Sequence, residues 1–197
     1  MVKFLHMADS HNGYSGNASR YNEYTQLRID KTTEDNINVR QQDINVAFRQ
    51  CMDKAIEEKV DFVVHAGDLF DFWGYKQPLV YTFVQQEIAR LKEHGIQFVV
   101  VIGNHDLPKI AGKGTYLESL SHMDHVYAVY KGFYETIEFP EHNVVFHCVP
   151  STFTQEVLNE SLAMVQPVPG KINIGVGHFG VTTIKHYAEN AINSLVV

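Results

Sequence analysis

The stretch Val60-Asp61-Phe62-Val63-Val64-His65-Ala66-Gly67-Asp68-Leu69-Phe70-Asp71 decides the fold. Val60 to His65 is short, rich in β-branched and aromatic residues, and reads as a buried strand. It runs into Ala66-Gly67-Asp68, where glycine marks a loop. On its amino-terminal side, Val39 to Lys59 carries Ile44, Ala47, Phe48, Cys51, Met52, Ala55 and Ile56 at i, i+3, i+4, i+7 spacing, which predicts an amphipathic helix with one core-facing stripe. On its carboxyl side, a second amphipathic helix follows Pro78, with Leu79, Phe83, Ile88 and Leu91 on one side and Gly95 as its stop.

The same unit repeats outward. Val2 to Ala8 reads as a buried strand ending at Asp9-Ser10-His11-Asn12-Gly13, and Ile96 to Ile102 as another ending in Gly103-Asn104-His105-Asp106. Thr115-Tyr116-Leu117-Glu118 has the capping-box form for a short helix. Val126 to Tyr130, Phe133 to Phe139 and Val144 to Val149 read as strands of an antiparallel kind, Ser151 to Met164 as a helix, and Ile172 to Gly177 as a strand ending at His178. Residues 14 to 38 are polar and without a clean period, an insertion or long loop. The alternation predicts an α/β architecture with a largely buried sheet.

Composition narrows the class. The chain has 197 residues, 45% hydrophobic and 20% charged, with 13 Gly and 6 Pro, which excludes a disordered tail, a collagen-like repeat and a disulfide-stapled miniprotein. Cys51 and Cys148 form no CxxC pair and read as small core residues in a reducing compartment, so the expected location is the cytoplasm. The longest strongly apolar run, Phe98 to Ile102, is far too short to cross a bilayer, and no membrane partner is expected. A formal net charge of -7 argues against a surface that coats nucleic acid generically. A local metal site is still compatible with it, because bound cations reverse the field there.

Polar clusters end several strands: Asp9/His11, Asp68/Asp71, Asn104/His105 and His178. Ligand sites of open α/β sheets form beyond the carboxyl ends of strands, so one face can collect all of them. Carboxylate, imidazole and amide oxygen without thiolate suit Mn, Fe or Zn better than calcium and exclude a zinc finger. Asp9 and His11 can turn toward one ion, Asp68 can bridge two, and Asn104 with His178 can complete the second. Two ions roughly 3.5–4 Å apart can hold a hydroxide and clamp a phosphate for in-line displacement. His105 is placed to protonate or stabilise the leaving oxygen; it needs an orienting carboxylate, with Asp71 the first candidate and Asp106 the second. Taken singly, an Asp or His at a strand end is more often a turn or cap, and His178, supported only by Gly177-His178, reads as a ligand ahead of a strand-end structural histidine. Their joint placement carries the metal reading.

These residues also carry a resemblance. Asp9-Ser10-His11, Gly67-Asp68-Leu69-Phe70-Asp71 and Gly103-Asn104-His105-Asp106 resemble, in order, the three N-terminal motifs of the calcineurin-like metallophosphoesterases. Leu5 to His11, Gly67 to Asp71 and Val101 to Asp106 are similar to the nuclease subunit of SbcCD-type DNA repair complexes. The resemblance implies a layered α/β/β/α sandwich with the site at the carboxyl ends of strands. It implies Asp9, His11, Asp68, Asn104 and His178 as metal ligands, and His105 as the catalytic histidine paired with Asp71. Two manganese ions, DNA as substrate, a coiled-coil ATPase partner of the SbcC type and a homodimer follow from it as expectations.

The family closes its site with a Gly-His-x-His motif that this chain does not contain before Val197, and His186 is a poor substitute. The expectation is therefore a nuclease domain over residues 1–197 that continues in a longer protein, with capping and ATPase-binding regions outside it; the alternative is an incomplete metal site. Other readings stay in view: a metallophosphoesterase for a nucleotide, phosphoprotein or small phosphodiester, or an inactive phosphoesterase-fold scaffold. His147 reads as part of a half-buried strand. His6, His65, His94, His122, His125, His142 and His186 read as structural or surface residues. Lys109 and Lys113 read as solvated loop lysines or phosphate contacts. Arg20, Arg28 and Arg40, with Tyr14, Tyr21 and Tyr24, are a candidate substrate-facing or dimer-facing surface.

Overall fold

The computed structural model describes residues 1–14, 33, 37–71, 78–108, 114–181 and 194–195. The four-stranded sheet has the order β1-β2-β3-β4, and all its pairings are parallel: β1 (Phe4–Met7), β2 (Phe62–Ala66), β3 (Gln97–Val101) and β4 (Val126–Val129). A second sheet of order β5-β6-β7 joins β5 (Glu135–Phe139) antiparallel to β6 (Val144–Val149), and β6 parallel to β7 (Ile172–Gly177). A two-stranded pair, β8 (Gly180–Val181) and β9 (Ser194–Leu195), lies beyond.

Alternation along the strands makes two cores. Val63, Phe98 and Val100 face α1 (Val39–Glu57) and α2 (Pro78–Glu93), which contribute Phe48, Met52, Val84, Ile88 and Leu91. Phe62, Val64, Val99 and Val101 point the other way, onto Phe139, Val144, Phe146 and Cys148 of the second sheet. Period-two alternation on a strand buried on both faces requires this division. The helix α4 (Gln155–Ala163) covers the outer side of β6, with Leu158 fully buried. The layers are thus α/β/β/α, as the resemblance implies.

Local chemistry ends the helices where needed. Asn38 caps α1 through its Oδ1, which accepts from the amides of Arg40 and Gln41. At the end of α2, Gly95 takes φ +70°, the amide of Ile96 donates to Leu91 O, and that of Gly95 to Lys92 O. This Schellman turn sends the chain straight into β3. Thr115 caps α3 (Tyr116–Leu120) by accepting from the amide of Leu117.

Several sequence expectations need correction. β4 is parallel to β3, not antiparallel, because α3 carries the chain back across the sheet before β4 starts, and hydrophobic pattern is blind to strand direction. β1 is no buried strand: it pairs only with β2 among the described residues, and Phe4 is 40% exposed. The buried face of α1 runs Gln41, Asn45, Phe48, Met52, Ala55, which leaves Ala47 exposed and Ile44 half-buried. In α2, Val80 and Val84 take the core positions while Leu79 stands in solvent. The last long helix starts at Gln155, capped by Thr154, rather than at Ser151, and β5 starts at Glu135, leaving Phe133 exposed. Most of 14–38, together with Lys109, Lys113 and His186, lies outside the described residues.

Phe62 packs its ring 4.7 Å from Phe139 and 5.2 Å from Phe146, at the centre of the inter-sheet core. Phe62→Ala should destabilise the protein by about 3–5 kcal/mol, read from the urea midpoint; a loss below about 1 kcal/mol would mean that the two sheets do not share this core.

Candidate metal centre

The carboxyl ends of β1, β2, β3 and β7 converge. The main chain builds the first part of the site as a ladder across two loops: Asp9 N donates to Gly67 O at 3.0 Å, His11 N to Asp68 O at 3.0 Å, and Asn12 N to Leu69 O at 2.9 Å. Asp9, His11 and Asp68 all take positive φ, 53°, 45° and 55°. Aspartate and histidine are among the side chains that enter this region most readily, and the main-chain ladder holds them in it here. In the first loop Asp9 and His11 face outward, while Ser10 and Asn12 turn inward.

Two donor triads result, and Asp68 belongs to both. One ligand atom from each of His11, Asp68 and His105 lies within 4.8 Å of the others, and the same holds for Asp9, Asp68 and His178. Asn104 joins the second group, its Oδ1 lying 3.0 Å from His178 Nε2. The structure therefore brings together Asp9, His11, Asp68, Asn104, His105 and His178, from four separate loops.

Close backbone approach makes this possible. A Cβ on Gly103 would overlap the backbone nitrogen and carboxylate of Asp68, and a Cβ on Gly67, at φ +92°, would overlap the His178 ring. Asp68 is buried, and its Oδ1 accepts from His105 N at 2.8 Å. Burial pushes its pKa up, but the His178 imidazole and the His105 amide outweigh that and hold it below the ordinary value.

His178 shows how well the pocket suits a cation. Its Nδ1 donates to Ala66 O at 2.7 Å, and its Nε2 faces Asn104 Oδ1 and, at 3.4 Å, Asp68 Oδ2. Two acceptors on the two ring nitrogens call for the imidazolium form. Burial lowers its pKa, yet the Asp68 carboxylate more than offsets this and lifts it to about 9. A proton thus sits where a divalent ion would draw the same donors, with Nδ1–H···O=C already fixing the ring as metal-bound histidines are fixed. The donor set of carboxylates, imidazoles and an amide oxygen fits Mn, Fe or Zn.

Asp71 reaches both histidines of the other triad, in different ways. Its carboxylate lies 3.2 Å from His11 Nδ1 and 3.7 Å from His105 Nδ1, while its main-chain oxygen accepts from His105 Nδ1 at 2.6 Å. The carboxylate therefore serves His11 first, and it is the largest cause of the raised His11 pKa; the carbonyl orients His105. Asp106 points away from His105. It is buried and accepts from Leu69 N at 3.1 Å, Phe70 N at 2.9 Å and Gly103 N at 3.1 Å, tying the second loop to the third. Burial pushes its carboxyl up to about 6 against those three donors.

Sequence reasoning missed this clamp, and it missed the inward pair Ser10 and Asn12. The available signal was position: Ser10 and Asn12 alternate with the ligand candidates Asp9 and His11. His147 belongs elsewhere: it bonds Tyr134 Oη at 2.6 Å and Asn173 Oδ1 at 2.9 Å within the second sheet.

The His178–Asp68 pair sets a pH window. The folded pKa of about 9 lies above that of an unfolded histidine, about 6.5. Its stabilisation is complete below the unfolded value and is lost as pH rises through the folded one. In chelator, the melting temperature should fall between pH 6.5 and 9 more steeply for the wild type than for His178→Asn; parallel curves would show that the pair is not formed.

A family model for calcineurin-like phosphoesterase matches residues 2–196. The chain is similar to the DNA double-strand break repair protein Mre11 of Methanococcus maripaludis, 36% identical over 115 residues, which is 57% of this chain and 25% of that protein. It is 43% identical over 74 residues to the Mre11 of Sulfurisphaera tokodaii (38% of this chain, 19% of that one) and 31% identical over 113 residues to that of Methanocaldococcus jannaschii (57% and 25%). The chain thus spans a quarter or less of the length of these relatives. No helix among the described residues is long and apolar enough to cross a membrane. With motif loops and layers arranged as described, the chain belongs to the calcineurin-like phosphoesterase family.

Proposed function

We propose that this chain carries the metal centre of a DNA-cleaving phosphodiesterase with two divalent ions. The observation that carries the reading is the pair of donor triads sharing Asp68. Asp9 and His11, whose Oδ1 and Nε2 lie 3.9 Å apart, would hold one ion, Asn104 and His178 the other, and Asp68 both; the triads also set Asp9 beside His178 and bring His105 next to His11, where it would meet the substrate. When bound, such ions neutralise phosphate charge and generate a nucleophile from water at neutral pH.

The chain's own residues supply the rest. Asp71 O holds His105 Nδ1–H, which leaves Nε2 to carry the proton that a departing sugar oxygen needs. The His105 side chain is 37% exposed, open enough to meet a substrate. The Asp71 carboxylate keeps His11 turned with Nε2 toward Asp68 and Asp9, at 3.7 and 3.9 Å.

DNA as substrate is supported by the similarity to proteins named for double-strand break repair. The resemblance to SbcCD-type nucleases extends the proposal to manganese, an SbcC-type coiled-coil ATPase partner and a homodimer. A second reading, a phosphoesterase for a nucleotide or small phosphodiester, is favoured by the net charge of -7, which weakens attraction to a DNA backbone. Steeply salt-dependent DNA binding would decide for the nuclease.

The test is manganese-stimulated cleavage of linear DNA and of a chromogenic phosphodiester by the purified protein. Retained uptake of two ions without turnover of either substrate would refute the proposal. His105→Ala should keep its metal content and lose about 10²–10⁴-fold in turnover, whereas Asp68→Ala should fail to retain metal. Equal metal content in the two variants would show the roles to be wrongly divided.

A further inference from the structure

His65 is buried directly beneath this site, and no step above uses it. It sits near the carboxyl end of β2, paired with Met7 on one side and Val100 on the other, with no solvent exposure. Its Nε2 lies 2.8 Å from Ser10 Oγ, and Ser10 is the residue between the ligand candidates Asp9 and His11.

Ser10 Oγ sits in a closed hydrogen-bonded set with His65 Nε2 and, at 3.2 Å, with Leu69 O, which also accepts from the Asn12 main-chain amide at 2.9 Å. Asn12 Nδ2 donates to Ser10 Oγ at 3.0 Å and to Leu69 O at 2.9 Å. His65 Nδ1 is buried without a hydrogen-bond partner, so among the described residues the contact with Ser10 is the ring's one polar tie. Burial also keeps the ring neutral, holding its pKa down near 3.

A serine hydroxyl 2.8 Å from an imidazole has the outline of a nucleophile and its base. Two facts oppose that role here. The ring resists protonation, and Nδ1 has no carboxylate to stabilise an imidazolium. What remains is mechanical. With Ser10 held down on His65, its neighbours Asp9 and His11 turn out toward Asp68.

We propose that His65 is a positioning residue of the metal centre, acting through the hydrogen bond between its Nε2 and Ser10 Oγ to hold the Asp9-Ser10-His11 turn in ligating geometry. This rests on the reading of that centre given under the proposed function. The main-chain ladder fixes how far the first loop slides along the second; the Ser10–His65 contact fixes which side chains face inward.

The experiment is titration of chelator-stripped protein with Mn2+ by calorimetry, with melting temperatures measured in chelator alongside. His65→Leu and Ser10→Ala should each weaken Mn2+ binding about 10-fold or more, as loss of a supporting partner does in other metal sites. The double variant should lose no more than either single one. His65→Gln, whose amide offers both an N–H donor and an oxygen acceptor at similar reach, should recover most of the affinity; a purely structural role would lower the melting temperature and leave affinity unmoved. Wild-type affinity in Ser10→Ala, or additive losses in the double variant, would overturn the proposal. Should His65→Leu fail to fold, Ser10→Ala and His65→Gln decide it. A wild-type protein that takes up no Mn2+ defeats the metal centre itself, whereas normal uptake by both wild type and Ser10→Ala defeats only the role of His65.

Discussion

Removing a carboxylate from water costs several kcal/mol unless positive charge or N–H donors replace the lost solvent. Asp68 is buried at the meeting of three loops, and the arrangement around it answers that demand. The third loop gives it the His105 amide, and β7 delivers the His178 imidazole. Both approaches depend on missing side chains: Gly103 lets the third loop touch Asp68, and Gly67 lets the His178 ring settle over the second loop. The same carboxylate belongs to both donor triads, so the group most in need of compensation is also the one that would attract cations.

The sheet explains how loops distant in sequence come to share one charge. Parallel strands end at the same edge, so β1, β2 and β3 deliver their loops side by side, in the register Met7 to His65 to Val100. β7, from the other sheet, reaches the same place because β6 is hydrogen-bonded parallel to it and the amide of His178 donates to Val149 O. The apolar layer between the sheets sets the distance across which His178 must reach. Fold and site are thus one geometric solution, with Asp106 fastening the second loop to the third from behind.

Much of this was legible in the residues. Short apolar runs ending in Asp, His and Asn announce strands with a polar edge, and helical spacing in 39–59 and after Pro78 announces the covering layer. What stayed hidden depends on relations that periodicity does not encode. Direction of pairing is one, which is why β4 read as antiparallel. Helix rotation is another: a shift of one position moved Leu79 into solvent and Val80 into the core. Asp71 was legible as a partner for a histidine, but not that its carboxylate would face His11 while its carbonyl took His105. His65 read only as one of several structural or surface histidines, and only coordinates reveal Ser10 above it.

The left-handed conformation of Asp9, His11 and Asp68 has an evolutionary corollary. Glycine would relax the backbone at each of these positions, but at Asp68 it would also leave the His105 amide and the His178 imidazole without their shared acceptor, so a laboratory selection for heat resistance alone would reward it only at Asp9 and His11. Every such exchange deletes a donor atom. At those two positions backbone ease and the proposed metal capture therefore pull in opposite directions, whereas at Asp68 the buried pair and the proposed ligand role coincide.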